Sequence, residues 1–219
     1  MKSESYEEFL YKIKLHNDWN DSGGKIGTFL KLDNGNFPGI KLSQKRLDSA
    51  MLYRVNFENA YLEEVDMFGC YLLAASLNGA NLKSSNLSKA TLDNSSLINA
   101  NLVNVTACKA SFCNANLCGA DLTGADLRST SFFEANLENA ILKNANLEMV
   151  SFNKARLYKT NLKGALGLEK TFNKILENRK QIPDHVDKTF DKWIDIGPEG
   201  SPIILKNDEM YEWLIKAAE

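Results

Sequence analysis

Every fifth residue from Leu42 to Leu162 is large and apolar, with Ala107 the single exception, and the register holds across all 25 positions without a slip. A period of five matches neither the 3.6 of an α-helix nor the 2 of a flat strand. On an α-helix these leucines would be smeared around the whole circumference. A second column, two residues earlier, is small: Ala50, Ala60, Ala75, Ala80, Ala90 and Ala100 belong to it. A polar residue, commonly Asn, Asp, Ser or Thr, separates the two columns, as at Asn81, Asn101, Asp121 and Asn146. The pattern predicts a coil of short straight sides joined by turns, each side pointing one large and one small residue inward. Such coils stack at roughly the 4.8 Å spacing of paired strands. Each then satisfies its backbone polar groups against the coils above and below, as buried amides require.

The repeated A-[DN]-L-x-x unit, plain in Ala120 to Gly124 and Ala125 to Ser129, resembles the pentapeptide-repeat family, whose best-known members are bacterial. The resemblance implies a mainly β fold, a right-handed four-sided parallel β-helix. Ile40 to Gly164 covers 125 of the 219 residues, which at four units per coil is about six coils and a rod roughly 30 Å long. Leu32 and Phe37 keep the register, so the first coil is expected near Leu30. The expected division is a helical N-terminal cap over 1–29, the β-helix over 30–167, and a helical C-terminal segment over 168–219.

A solenoid leaves an unpaired coil at each end, and such ends need covering. Ser5 followed by Glu8 reads as a capping box opening a helix, with Phe9, Leu10 and Ile13 near helical spacing and Gly23-Gly24 releasing the chain afterwards. At the other end Gly167 stands where the register wants Leu or Phe. Helices are expected over 168–181 and 208–218. Phe190, Trp193, Trp213 and Leu214 are the candidate contacts of this segment, either as a lid or as the seam of a homodimer. Family members that resemble rods joined through their C-termini favour the homodimer.

Catalysis finds no support in the residues. His16 and His185 both lie outside the repeat, no motif places a nucleophile beside either, and Gly23, Gly24, Gly27 and Lys25 do not form a phosphate loop. The spacing of Cys108, Cys113 and Cys118 is that of the repeat, not of a zinc site, and it puts them on three different sides. With Cys70 in an inward slot, all four are expected as free thiols. Neither metal nor cofactor is expected. The start of the chain lacks a signal-peptide core and no stretch approaches a membrane span, so a cytoplasmic protein with no membrane partner is expected.

The outward slots are where function is expected. Tyr53 and Leu73 are twenty apart and stack on one side, with Tyr71 beside them and Phe133 further along. They mark a surface for a protein partner, or one covered by a terminal segment of the chain itself. Some pentapeptide-repeat proteins resemble duplex DNA in shape and charge and bind DNA gyrase or topoisomerase IV, giving antibiotic or toxin protection. That mimicry needs acidic rows along the rod. Here the 25 units hold 11 acidic and 13 basic residues, a net of +2, and the column from Glu58 runs through Asn78, Ile98 and Cys118 before Glu138. The unbroken register also leaves no inserted loops of the kind that quinolone-resistance members use. The expectation is therefore a non-catalytic scaffold for an unknown protein, with the topoisomerase-binding mimic as the alternative. No direct nucleic-acid binding is expected.

Overall fold

A computed structural model describes residues 5–168, 193–196 and 204–219. The repeat becomes a stack of parallel coils. The first rungs are strands β1 (Lys31–Asp33) and β2 (Met51–Tyr53), paired in parallel with Lys31 opposite Met51. From there single bridges carry the ladder: Asn36 with Asn56, Lys41 with Tyr61, and so on to Asn146 with Leu166. Every partner lies twenty residues on, so one coil is four five-residue units and the rod has four faces. We name the faces by their first buried central residues: Phe37, Leu42, Leu47 and, for β1 and β2, Leu52.

Each unit contributes one straight rung and one turn. The central residue and the small residue two before it are buried, with Leu42, Leu47, Leu52, Ala50 and Ala60 at 0–1% exposure. The turn closes through a backbone bond from the residue three past the centre, as in Ala50 N–H to Leu47 O at 3.0 Å. The residue two past the centre takes the left-handed conformation without exception, from Asn34 to Gly164, with φ between 50° and 74°. Asn or Gly holds 14 of these 27 positions, the two residue types that enter this region most cheaply. Neighbouring coils use the pair jointly. A Cβ on Gly79, Gly119, Gly124 or Gly164 would run into Oδ1 of the Asn one coil below, namely Asn59, Asn99, Asn104 or Asn144. Ala74 holds the same slot at φ 54°, so the backbone cost alone is tolerable. Gly79→Ala is expected to cost about 1–2 kcal/mol in urea melts, and Asn59→Ala in the same chain to return the steric share.

The interior is a column of stacked side chains. Phe112, Phe132 and Phe152 repeat every coil with ring centroids 5.2 and 5.5 Å apart. The two threonines of the small column find carbonyls of the rod: Thr130 Oγ1 donates to Ala107 O at 2.8 Å and Thr160 Oγ1 to Leu137 O at 2.7 Å, while the buried Ser85 Oγ finds no partner.

Helix α1 (Tyr6–Asp21) covers the first coil. Ser5 is its N-cap and accepts from Glu8 N–H at 3.2 Å. Phe9, Ile13 and His16 face the rod, and Phe9 stacks on Phe37 at 4.2 Å. The side chains of α1 also replace the hydrogen bonds that a preceding coil would have made. Tyr6 Oη donates to Lys41 O at 3.0 Å, while His16 Nε2 and Asn20 Nδ2 donate to Asp48 O at 2.9 and 3.0 Å. Leu30 N–H donates to His16 Nδ1 at 3.1 Å. An amide can only donate, so Nδ1 carries no proton and the ring's N–H is on Nε2.

At the far end β3 (Trp193–Asp195) continues the ladder. Asp195 bridges Arg156 in parallel, and Leu157 N–H donates to Asp195 O at 2.6 Å. β4 (Ile204–Lys206) pairs antiparallel with β3, and α2 (Asn207–Ala218) follows it. Ile194, Met210 and Leu214 are buried in the same core as the rod, and Gly164 N–H donates to Ala218 O at 2.7 Å. The expected helix over 168–181 lies outside the described residues except for Leu168, and His185 and Phe190 lie outside them altogether. Among the described residues no helix is long and apolar enough to cross a membrane.

Candidate interaction surfaces

With the interior filled, chemistry is confined to the outward slots. Tyr71 and Leu73 are 44% and 39% exposed on the Leu52 face, with Tyr53 half-buried in the coil below Leu73. Tyr61 (48%) and Phe68 (38%) extend the apolar surface onto the Leu42 and Leu47 faces. Phe133 is not part of this group. It stands three coils above Leu73, half-buried, with Lys154 Nζ 5.2 Å from its ring centroid. Lysine covers other rings in the same way, Lys41 over Tyr61 at 5.7 Å and Lys89 over Phe68 at 5.1 Å. Tyr71 and Leu73 have no such cover among the described residues. Of the C-terminal candidates, Leu214 is buried, Trp213 is half-buried, and Trp193 lies in β3.

Among the described residues five of the rod's 13 basic side chains sit in ion pairs. Arg46 meets Asp21 and Asp48 at 3.0 and 3.4 Å, and Arg54 meets Asp33. Lys154 meets Glu134 at 3.1 Å, and Arg156 meets Glu138 at 3.3 Å. Arg128 grips Asp126 with two nitrogens at 2.9 and 2.7 Å, and this hydrogen bonding holds the Asp126 carboxyl below its usual range.

All four cysteines are free. Burial pushes the Cys70 thiol up, and burial followed by the nearby Asp126 does the same for Cys108, so neither is an activated nucleophile. Among the described residues no group of three or more His, Cys, Asp or Glu could hold a metal ion. A cleft of about 450 Å³ beside Tyr6, Phe37, Pro38 and Lys41 sits at the edge of the first coil, and no His, Cys, Asp or Glu lines it.

These features define a parallel β-helical solenoid. The chain belongs to the pentapeptide-repeat family: the family model for pentapeptide repeats matches it in eight copies, over residues 75–112, 95–132 and 130–166. Among solved structures it is similar to trypsin-treated QnrB1, a plasmid-mediated fluoroquinolone resistance protein. That match has a TM-score of 0.52 and 20% identity, and covers 60% of this chain and 69% of QnrB1. The shared fold is a right-handed β-helix. It is also similar to HetL, a pentapeptide-repeat protein involved in heterocyst differentiation regulation in the cyanobacterium Nostoc sp. strain PCC 7120. There the identity is 29% and the TM-score 0.49, over 62% of this chain and 65% of HetL. The chain thus spans slightly less than two thirds of HetL's length. No curated protein sequence matches it.

Proposed function

We propose that this protein is a non-catalytic scaffold that binds another protein through the outward side chains of its N-terminal coils. The observation that carries the reading is the exposed pair Tyr71 and Leu73 on a rod whose inward slots, among the described residues, are filled by buried side chains. An exposed apolar cluster on a rigid face is a normal mark of a protein contact. The 2′-hydroxyls and phosphates of a nucleic acid offer it little. The test is capture of binding proteins on immobilised wild-type chain and on Tyr71→Ser/Leu73→Ser, each checked by its melt. A protein retained by the first and lost from the second supports the reading; identical catches from both overturn it.

Burial of Met210 and Leu214 against the rod supports the C-terminal segment as a lid rather than a seam between two copies. The competing function, mimicry of DNA toward gyrase or topoisomerase IV, is weakened further by the ion pairs. Glu134, Glu138 and Asp126, which would have to serve as phosphate surrogates, already face Lys154, Arg156 and Arg128. Purified protein is therefore expected to leave plasmid supercoiling by gyrase unchanged. Salt-sensitive inhibition at submicromolar protein would reverse that conclusion.

A further inference from the structure

The Leu42 face has outward side chains that are complementary to themselves when the rod is turned end for end. Its seven units are centred on Leu42, Leu62, Leu82, Leu102, Leu122, Leu142 and Leu162, one per coil. The slot after each centre holds Ser43, Glu63, Lys83, Val103, Thr123, Lys143 and Lys163. The slot before it holds Lys41, Tyr61, Asn81, Asn101, Asp121, Ile141 and Asn161.

Consider a second copy laid antiparallel against this face, with all seven units overlapping. A two-fold axis in the plane of contact keeps each column opposite itself and reverses its order. Glu63 then faces Lys143 of the other copy, and Tyr61 faces Ile141, on both sides of the axis. The unit of Lys83 faces the unit of Asp121. Val103 lies on the axis opposite Val103, among uncharged Asn101 and Asn104. Among the described residues none of Glu63, Lys83, Asp121 and Lys143 takes part in an ion pair within the chain. Tyr61 is 48% exposed. The like charges that meet, Lys41 and Lys163, are at the two ends, where Lys41 is turned over Tyr61.

The same operation fails on the other faces. It sets Lys89 or Lys109 against lysine on the Leu47 face and Asp93 against itself on the Leu52 face. On the Phe37 face it sets Glu58 against Glu138. Like charges directly opposite are destabilising.

We infer that the Leu42 face is a docking surface for a second copy of this chain, antiparallel, with Val103 on the two-fold axis. Six coil spacings give a face about 29 Å long. At a width of about 10 Å it buries roughly 300 Å² per partner, well under the ~800 Å² of a stable interface. The dimer is therefore transient, and its opposite charges make it salt-sensitive. The two surfaces meet at Tyr61, but this association uses neither Tyr71 nor Leu73, so the variants that test the protein partner leave it untouched.

The experiment is disulfide trapping, which records short-lived pairs. In a full chain with Cys108, Cys113 and Cys118 replaced by Ser, Val103→Cys puts one thiol on the axis. Thr123→Cys puts one on the same face but opposite Lys83. Under mild oxidant Val103→Cys is expected to form covalent dimer at least tenfold faster than Thr123→Cys. Glu63→Lys or Lys143→Glu is expected to slow it at least fivefold, and the two reversals together to restore it. Rescue by the double reversal is not available to a merely misfolded variant. Equal rates for the two cysteines, no slowing by either reversal, or no rescue would each overturn the proposal.

Discussion

Leu122→Asp is expected to leave almost no folded protein at neutral pH. Leu122 is fully buried at mid-rod, between Leu102 and Leu142 of the coils below and above. A carboxylate there has no partner and no room for water, a loss of several kcal/mol. A domain's whole stability is only about 5–15 kcal/mol. Burial would raise the carboxyl's folded-state pKa above its unfolded value of about 3.9. The penalty is thus fully present above the folded pKa and falls away as pH drops toward the unfolded one. Any recovery of β structure should therefore come on acidification, not on raising pH. Ala120→Leu, in the small column, should cost about 1–3 kcal/mol by overpacking. Thr106→Lys, in an exposed outward slot beside Asp126 of the next coil, should change stability by less than about 0.5 kcal/mol. Urea melts that ranked Thr106→Lys with Ala120→Leu would undo the assignment of inside and outside.

That assignment was legible in the sequence because each inward residue recurs at a fixed interval. Leu122 and Ala120 are named as buried by the period alone, and Tyr53 and Leu73 as neighbours by their separation of twenty. The left-handed turn residue is not named by the period, although its column from Asn34 to Gly164 is rich in Asn and Gly. Its meaning needed the backbone, since Gln44, Arg54 and Met149 adopt the same φ with no compositional signal. Phe133 is read from the same interval as lying further along that face, and it stands three coils above Leu73; the lysine over its ring, Lys154, has no signature in the period. The ends were the least legible. Nothing periodic announces that β3 returns to extend the ladder by bridging Asp195 to Arg156, 39 residues apart instead of 20. Likewise His16, read from sequence as a histidine outside the repeat, is a stand-in for a missing coil. Both are contacts between segments far apart in sequence, where no period connects the partners.

The N-terminal cap should be the second point where one side chain decides the fate of the rod. Phe9→Ala removes a fully buried ring that stacks on Phe37 at 4.2 Å and also approaches Phe57 at 6.1 Å. The expected cost is about 3–5 kcal/mol. Its main consequence is the release of α1 from the first coil, because the apolar contact and the edge hydrogen bonds hold the same helix. Once α1 lifts, Lys41 O and Asp48 O lose Tyr6, His16 and Asn20, and the coil presents an open strand edge. Open edges recruit other chains. Phe9→Ala is thus expected to lower the melting midpoint and to produce light-scattering aggregates that grow with concentration. His16→Ala is the finer probe. It keeps the Phe9 stack and the bond from Asn20 to the Asp48 carbonyl but leaves the buried Leu30 N–H without its acceptor, at about 1–3 kcal/mol. Hydrogen exchange should then report loss of protection at Leu30 and Met51, the first rungs of the ladder, while the amides around Leu122 stay protected. If Phe9→Ala melts like the wild type and stays monodisperse, α1 is an appendage and the first coil closes by other means.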